Sequence, residues 1–398
     1  MPAEAALPAS TPTSTIEFAF QTTPRLLAAT GATAQIAAML AERGARRVFL
    51  VTDAGVRGAG LTAACEAGLA EAGLACTVWD DVVADPPEAR VLAAVEAARE
   101  AGAEAVVGLG GGSPMDTAKL VSVLTGHDQP LAEIYGIGRV QGTRLPLILA
   151  PTTAGTGSEV TPIAIVTTGE AEKKGVVAPQ LLPDVAVLDA RLTTGLPAPV
   201  TAATGIDAMV HAIEAYTTKH KKNPLSDCLA REALTRLGAN IATACLEPDN
   251  LSARAEMLLG SALAGMAFAN APCAAVHALA YPLGGHFHVP HGLSNALVLP
   301  HVLAFNRTVA EAQYAEIAPL IFPGLAAHDN EMRVSGLIAE FDALGPRLGM
   351  AGRLSEVGVG HNHLPMLAED AMKQERLLIN NPREMTYEAA LAIYQAAL

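Results

Sequence analysis

The sequence has few aromatic residues, one Trp, six Tyr and eight Phe in 398, so a large core must come from aliphatic side chains. Cysteine is also scarce. Cys65, Cys76, Cys228, Cys245 and Cys273 stand singly with no CxxC pair, which excludes a disulfide framework and fits a reducing compartment. No apolar run reaches the ~18 residues needed to cross a bilayer. The first fifteen residues, rich in Ala, Pro, Ser and Thr, lack the basic and apolar regions of a signal peptide. They read as a disordered tail, and the chain reads as cytoplasmic. Basic residues are outnumbered, 26 Lys and Arg against 40 Asp and Glu, for a net charge of -14. That balance argues against the basic patch that nucleic acid or an anionic membrane requires, so the expected partner is a small molecule.

What is present is apolar sequence, 51% of the chain, at a length where two domains are the default. From Ile16 to about Asp189, β-branched runs alternate with Ala-rich stretches of helical period. Arg47–Thr52, Ala75–Trp79 and Ala105–Leu109 read as strands, and Leu61–Ala72 and Arg90–Ala101 as helices. Strict alternation implies βαβ units and a parallel sheet, whose ligands collect beyond the carboxyl ends of the strands. After Leu196-Pro197 the pattern is Ala/Leu-rich and helical throughout. The expected organisation is a tail over 1–15, an α/β dinucleotide-binding, Rossmann-like domain over 16–197, and an all-α metal-binding domain over 198–398.

The strand Ala105–Leu109 runs into Gly110-Gly111-Gly112-Ser113, after which Pro114 to Lys119 opens a helix. Consecutive glycines let the backbone approach a ligand, and a helix start offers free N–H groups and a positive dipole end. The turn therefore suits a pyrophosphate, although an ordinary strand-to-helix turn has the same composition and the GxGxxG pattern is absent. Pro151 to Thr161, dense in hydroxyls and glycines past the strand Leu145–Ala150, reads as a second cofactor loop. Asp53 directly follows a strand, where it either accepts from ribose hydroxyls or simply caps a helix.

Asp207 and His211 lie four apart on a helical pattern with apolar neighbours, and so share one face. Alone, such a pair is an ordinary helix contact. His277 near an apolar helix and His291 at a Pro-Gly corner add two imidazoles, while His286, His288 and His301 compete for the same role. His220, His361 and His363 read as solvent-facing. Three imidazoles with one carboxylate suit Fe(II) or Zn(II) and are too nitrogen-rich for Mg(II) or Ca(II).

The segments GGGSPMDTAK, PTTAGTGSEVT, TGIDAMVHAIE, HALAYPLGG and PHGLSNALVLPH occur in this order. In that combination the chain closely resembles the iron-containing (group III) alcohol dehydrogenases, from about Phe18 to Arg383. The resemblance implies an NAD-binding α/β domain, a helical metal domain and catalysis in the cleft between them. It also implies a homodimer or larger homo-oligomer and one divalent metal, Fe(II) ahead of Zn(II). By resemblance Asp207, His211, His277 and His291 are the metal ligands. Gly111, Gly112, Ser113 and Asp116 form the phosphate turn, and Thr152, Thr153, Thr156 and Ser158 the second cofactor loop. Asp53 falls on the acidic position linked to NAD preference, while Asp85 and Lys173 fall on cofactor-contacting positions. Phe268 falls on a substrate-pocket aromatic.

One position departs from the family: Tyr281 stands where a second histidine, thought to relay the proton, is common. A similar Tyr occurs in the family's hydroxyacid-oxoacid transhydrogenases. Tyr281 and His277 are thus the candidate catalytic residues, and transhydrogenation is the first alternative to reversible oxidation of a small alcohol or hydroxyacid by NAD. Packing is an equal reading of Tyr281, since a phenol is a poor base at neutral pH. A dehydroquinate synthase-like lyase and a non-catalytic nucleotide-binding protein are the other rivals. Ala, Gly and Phe around the third motif suggest a modest apolar pocket, to which His286 and His288 would add a polar handle.

Overall fold

The computed structural model describes residues 17–169 and 172–398; the expected N-terminal tail lies outside them. The first part of the chain contains β1 (Leu26–Ala28), α1 (Ile36–Ala41), β2 (Arg47–Val51), α2 (Ala54–Gly58), α3 (Ala63–Glu71) and β3 (Ala75–Trp79). It continues through α4 (Glu88–Glu100), β4 (Ala105–Gly110), α5 (Gly112–Gly126), α6 (Leu131–Ile134) and β5 (Gly136–Ile137). β6 (Leu147–Pro151), β7 (Ile163–Thr168), β8 (Glu172–Val177) and β9 (Val185–Leu188) complete it.

Six of these strands form one parallel sheet in the order β1-β9-β6-β4-β2-β3. Side chains on a strand alternate between faces, and both faces here are apolar. Phe49, Val51, Val106, Leu147 and Leu149 pack under α4 and α5. Val48, Leu50, Val107, Leu109, Ile148 and Ala150 pack against α1 and α3. A sheet buried on both sides needs near-continuous apolar strands, as β4 shows with all six residues buried. From β2 the chain leaves to β3 on one side and returns to β4 on the other, placing a topological switch point between β2 and β4. A smaller sheet, β5-β8-β7, borders the same end.

From Ala198 onward the described residues form only helices and short connections: α7 (Ala198–Thr217), α8 (Pro224–Leu246), α9 (Leu251–Asn270), α10 (Ala275–Phe287), α11 (His291–Ile321), α12 (Asn330–Arg347), α13 (Leu364–Met372), α14 (Glu375–Leu378) and α15 (Tyr387–Ala397). Their buried faces make one continuous aliphatic core. α11 runs unbroken to Ile321 because Pro300 and Pro319 are accommodated inside it. A small cluster of Val160, Ala186, Leu188 and Ala262 joins β9, the strand next to the sheet edge, to α9. Among the described residues no single helix is long and apolar enough to cross a membrane.

Candidate functional site

α7 is buried along most of its length, and Asp207 and His211 are 2% and 5% exposed on it. Their four-residue spacing carries both toward α10 and the first residue of α11. The Asp207 carboxylate lies 3.5 Å from His291 Nε2 and 3.8 Å from His277 Nε2. The His211 ring stacks on that of His277 at 4.6 Å, and the His277 and His291 rings are 5.4 Å apart. His211 Nδ1 faces the Gly155 carbonyl at 3.3 Å, leaving Nε2 available as a ligand. The four candidate ligands therefore converge, and Cys273 stands beside His211 and His277.

Glu214, one further turn along α7, supports this arrangement. Its buried carboxylate accepts from His277 Nδ1 at 2.7 Å and from the backbone N–H groups of Ala274 and Val276. Accepting from Nδ1 fixes the tautomer that turns Nε2 toward the site. Burial opposes charge on His277, yet Cys273 and Glu214 outweigh it and raise its pKa. Burial, reinforced by the neighbouring His277 and His291 and only partly opposed by Asp207, pushes His211 down to about 3, so its imidazole is neutral and free to ligate. The Asp207 carboxyl is held below its ordinary value: burial works against its charge, but His211, His291, His277 and the Asn295 amide more than offset that. Asn295 Nδ2 lies 2.6 Å from the Asp207 carboxylate and 3.3 Å from His291 Nε2. Among the described residues no Lys or Arg pairs with Asp207. A buried carboxylate with three imidazoles, lacking a protein cation, fits a divalent metal.

This cluster lines a cavity of about 480 Å³ that extends to Gly112 and Ser113. A second cavity of about 650 Å³ shares those two residues and continues past Thr152 and Thr153 to Asp53. The joined cleft lies at the carboxyl ends of β2, β4 and β6, at the switch point. α5 starts at Gly112, two residues before Pro114, so the glycines themselves form the first turn with its free amides. A Cβ on Gly112 would stand 3.0 Å from Thr156, which explains why no side chain intrudes between the two candidate cofactor loops. Asp53 caps α2 by accepting from Val56 N–H at 2.9 Å and also lines the cleft.

Other candidate cofactor residues are likewise engaged with protein groups. Asp116 accepts from Ser158 Oγ at 2.6 Å and from Ile165 N–H at 2.9 Å. Asp85, in a left-handed conformation with φ 50, pairs with Lys173. Its N–H points at Ser113 Oγ, 3.3 Å away. Lys119, fully buried, donates to Ser158 Oγ and the Ile163 carbonyl, tying the helix that follows the glycine turn to the hydroxyl-rich loop. Phe268 lines the cavity and stacks on His211 at 4.3 Å. Tyr281 also lines it, its ring 6.0 Å from that of His291.

The histidine expectations need two corrections. His286 is exposed and pairs with Asp370, and His288 closes α10 in a left-handed conformation; neither lines the cavity. His220 is exposed, as expected, and also lines the cavity with Lys221 and Arg376. Sequence reasoning also missed Glu214, Lys119 and Asn295. Each lies three or four residues from a recognised position on the same helix, which was the available signal.

Comparison with known proteins agrees with this geometry. Residues 23–190 match the family model "Iron-containing alcohol dehydrogenase", and residues 201–398 match "Fe-containing alcohol dehydrogenase family, C-terminal". The chain is 39% identical to the probable alcohol dehydrogenase EutG of Escherichia coli K12 across 95% of this chain and 94% of that one. A crystal structure of a 1,3-propanediol oxidoreductase superposes with a TM-score of 0.92 at 33% identity, covering 96% and 100% of the two chains. The sulfoacetaldehyde reductase of Bifidobacterium kashiwanohense in complex with NAD+ superposes with a TM-score of 0.86 at 27% identity, covering 96% and 99%. The chain belongs to the iron-containing alcohol dehydrogenase family, whose members are NAD-dependent metal alcohol dehydrogenases.

Proposed function

We propose that this chain reversibly oxidises a small alcohol or hydroxyacid with NAD, at one divalent metal held by Asp207, His211, His277 and His291. Fe(II) is favoured over Zn(II). The carrying observation is the convergence of those four side chains in a cavity continuous with the glycine turn. When bound, the metal polarises the substrate oxygen as a Lewis acid and NAD accepts the hydride.

The chain's own residues supply position and shielding. The amides at Gly112 and Ser113 receive the pyrophosphate, with Thr152, Thr153, Thr156 and Ser158 along its path. Asp53 receives ribose hydroxyls. Gly111 leaves room for close approach. Asp116 and Lys119 hold the two loops together, and Asp85 with Lys173 closes the rim beside Ser113. Phe268 covers His211 and keeps water from the reacting end, where orientation of substrate against cofactor yields rate. Tyr281 borders the same space and is the residue we assign to holding the departing proton.

The test is NADH formation from a panel of alcohols after stripping the protein of metal and reloading it with Fe(II) or Zn(II). Turnover should require the metal, and full activity in metal-free protein would refute the assignment. Steady NADH accumulation from one alcohol alone separates this activity from transhydrogenation, which retains its nucleotide.

A further inference from the structure

We propose that the substrate carries an anionic group, a carboxylate, sulfonate or phosphate, at the end away from the reacting carbon, and that Arg376, Lys221 and His220 receive it. The inference deepens the dehydrogenase reading and rests on it. The anion takes no part in the redox step: the carbinol gives a hydride to NAD+ and a proton to the protein or water, and the charged end is unchanged.

The charge inventory of the cavity motivates this. Its lining includes Asp85, Asp116 and Asp207, and all three are engaged: with Lys173, with Ser158 and the Ile165 amide, and with the imidazole cluster and Asn295. Arg376, Lys221 and His220 line the same cavity. Among the described residues no hydrogen bond or ion pair engages their side chains. In a chain of net charge -14, a catalytic cavity thus has its carboxylates engaged while an arginine, a lysine and an imidazole stand free.

The segments that carry these three groups are fastened together. The buried side-chain amide of Asn380 donates to the Cys273 and Arg376 carbonyls, each at 3.0 Å, and the Asn380 carbonyl accepts from Lys219 N–H at 2.8 Å. One asparagine therefore fastens α14 and the loop carrying His220 and Lys221 to the chain just before α10, four residues from His277. The glycine turn is carried by a different element, α5. Lys221 has a left-handed backbone with φ 56, and its carbonyl accepts from Asn223 Nδ2 at 3.0 Å. A non-glycine residue keeps that conformation only where its surroundings enforce it. Apolar Phe268, Pro272 and Leu377 share this lining, and such walls reduce the screening of an ion pair formed beside them. A guanidinium offers the paired donors that oxyanions accept.

The experiment uses full-length, metal-loaded enzyme with NAD and compares 4-hydroxybutanoate, 2-hydroxyethanesulfonate and 3-hydroxypropyl phosphate with neutral 1-propanol and 1-butanol. These arms separate the three anion chemistries. We expect at least one anionic alcohol to exceed the neutral alcohols about tenfold in kcat/KM. Arg376→Glu should cut that ratio about tenfold or more, chiefly through KM; Arg376→Lys should recover much of it, and added salt should lower it. Both Arg376 and Lys221 are exposed, so folding is checked simply by Tm. Neutral alcohols leading all three anions, or Arg376→Glu and Lys221→Glu altering both classes equally, would overturn the proposal. If no alcohol yields NADH, the dehydrogenase reading fails instead. Binding of the three anions to the enzyme–NADH complex, read by nicotinamide fluorescence in wild type and Arg376→Glu, then still decides the subsite.

Discussion

Glu214 accepts from His277 Nδ1 at 2.7 Å while also receiving the N–H groups of Ala274 and Val276 at the start of α10. One carboxylate thus sets both the orientation of an imidazole and the seat of the helix that carries it. A partner of this kind affects metal affinity about 10- to 100-fold. Glu214→Gln, which keeps an acceptor but no charge, should lie at the low end of that range, and Glu214→Ala at the high end. Competition with a chelator measures this without turnover. Wild-type metal affinity in Glu214→Ala would show that the ring is oriented by packing alone.

Asp53 combines a helix cap with a carboxylate in the cleft, and one substitution separates the roles. Asp53→Ser retains an oxygen able to accept from Val56 N–H but removes the charge facing a 2'-phosphate. Tm should stay within a few degrees of wild type. The preference for NAD over NADP, as a ratio of kcat/KM, should fall about tenfold or more.

Gly157 packs against α9 so closely that a Cβ would stand 2.6 Å from Gly265 Cα, and its φ is +59. Gly157→Ala meets both a left-handed backbone and a backbone clash, each worth about 1 to 3 kcal/mol. The measurement is a urea denaturation midpoint. A shift indistinguishable from zero would mean that α9 moves away without cost.

Glu159 is 1% exposed, and burial pushes its carboxyl up to about 7, with Lys119 pulling only partly the other way. Above about 4.5 the unfolded chain has released this proton while the folded protein retains it. Stability therefore falls as pH rises from about 4.5 to 7 and then levels, by at most about 3 kcal/mol. Glu159→Gln should flatten that portion of the stability profile between pH 5 and 8. An unaltered profile would place the titration elsewhere.

Tyr281 tests the proton route. Tyr281→Phe should lower kcat and reshape its pH dependence while leaving NAD and metal binding intact. Unchanged kcat and pH profile would return Tyr281 to a packing role.

The local elements were legible because they rest on short-range patterns. Ala75–Trp79 is observed with the predicted limits, and Ala105–Leu109 differs by one residue. The α7 pair was legible because four residues on a helix always return to one face. The histidine partners were not derivable in that way. His277 and His291 compete with His286 and His288 in the same short segment, and no periodicity decides which rings point inward.

The sequence by itself therefore determined the alternation of strand and helix, the glycine turn at a helix start, and the Asp207–His211 face, all consequences of backbone geometry over a few residues. Tertiary packing decided the rest. It joined α7, α10 and α11 around one point, engaged Asp116 with Ser158 and Asp85 with Lys173, and brought His220 and Arg376 to one cavity from 156 positions apart. The physical reason is the range of the forces: dihedral preference and hydrophobic period act along the chain, whereas burial and charge pairing depend on which surfaces meet.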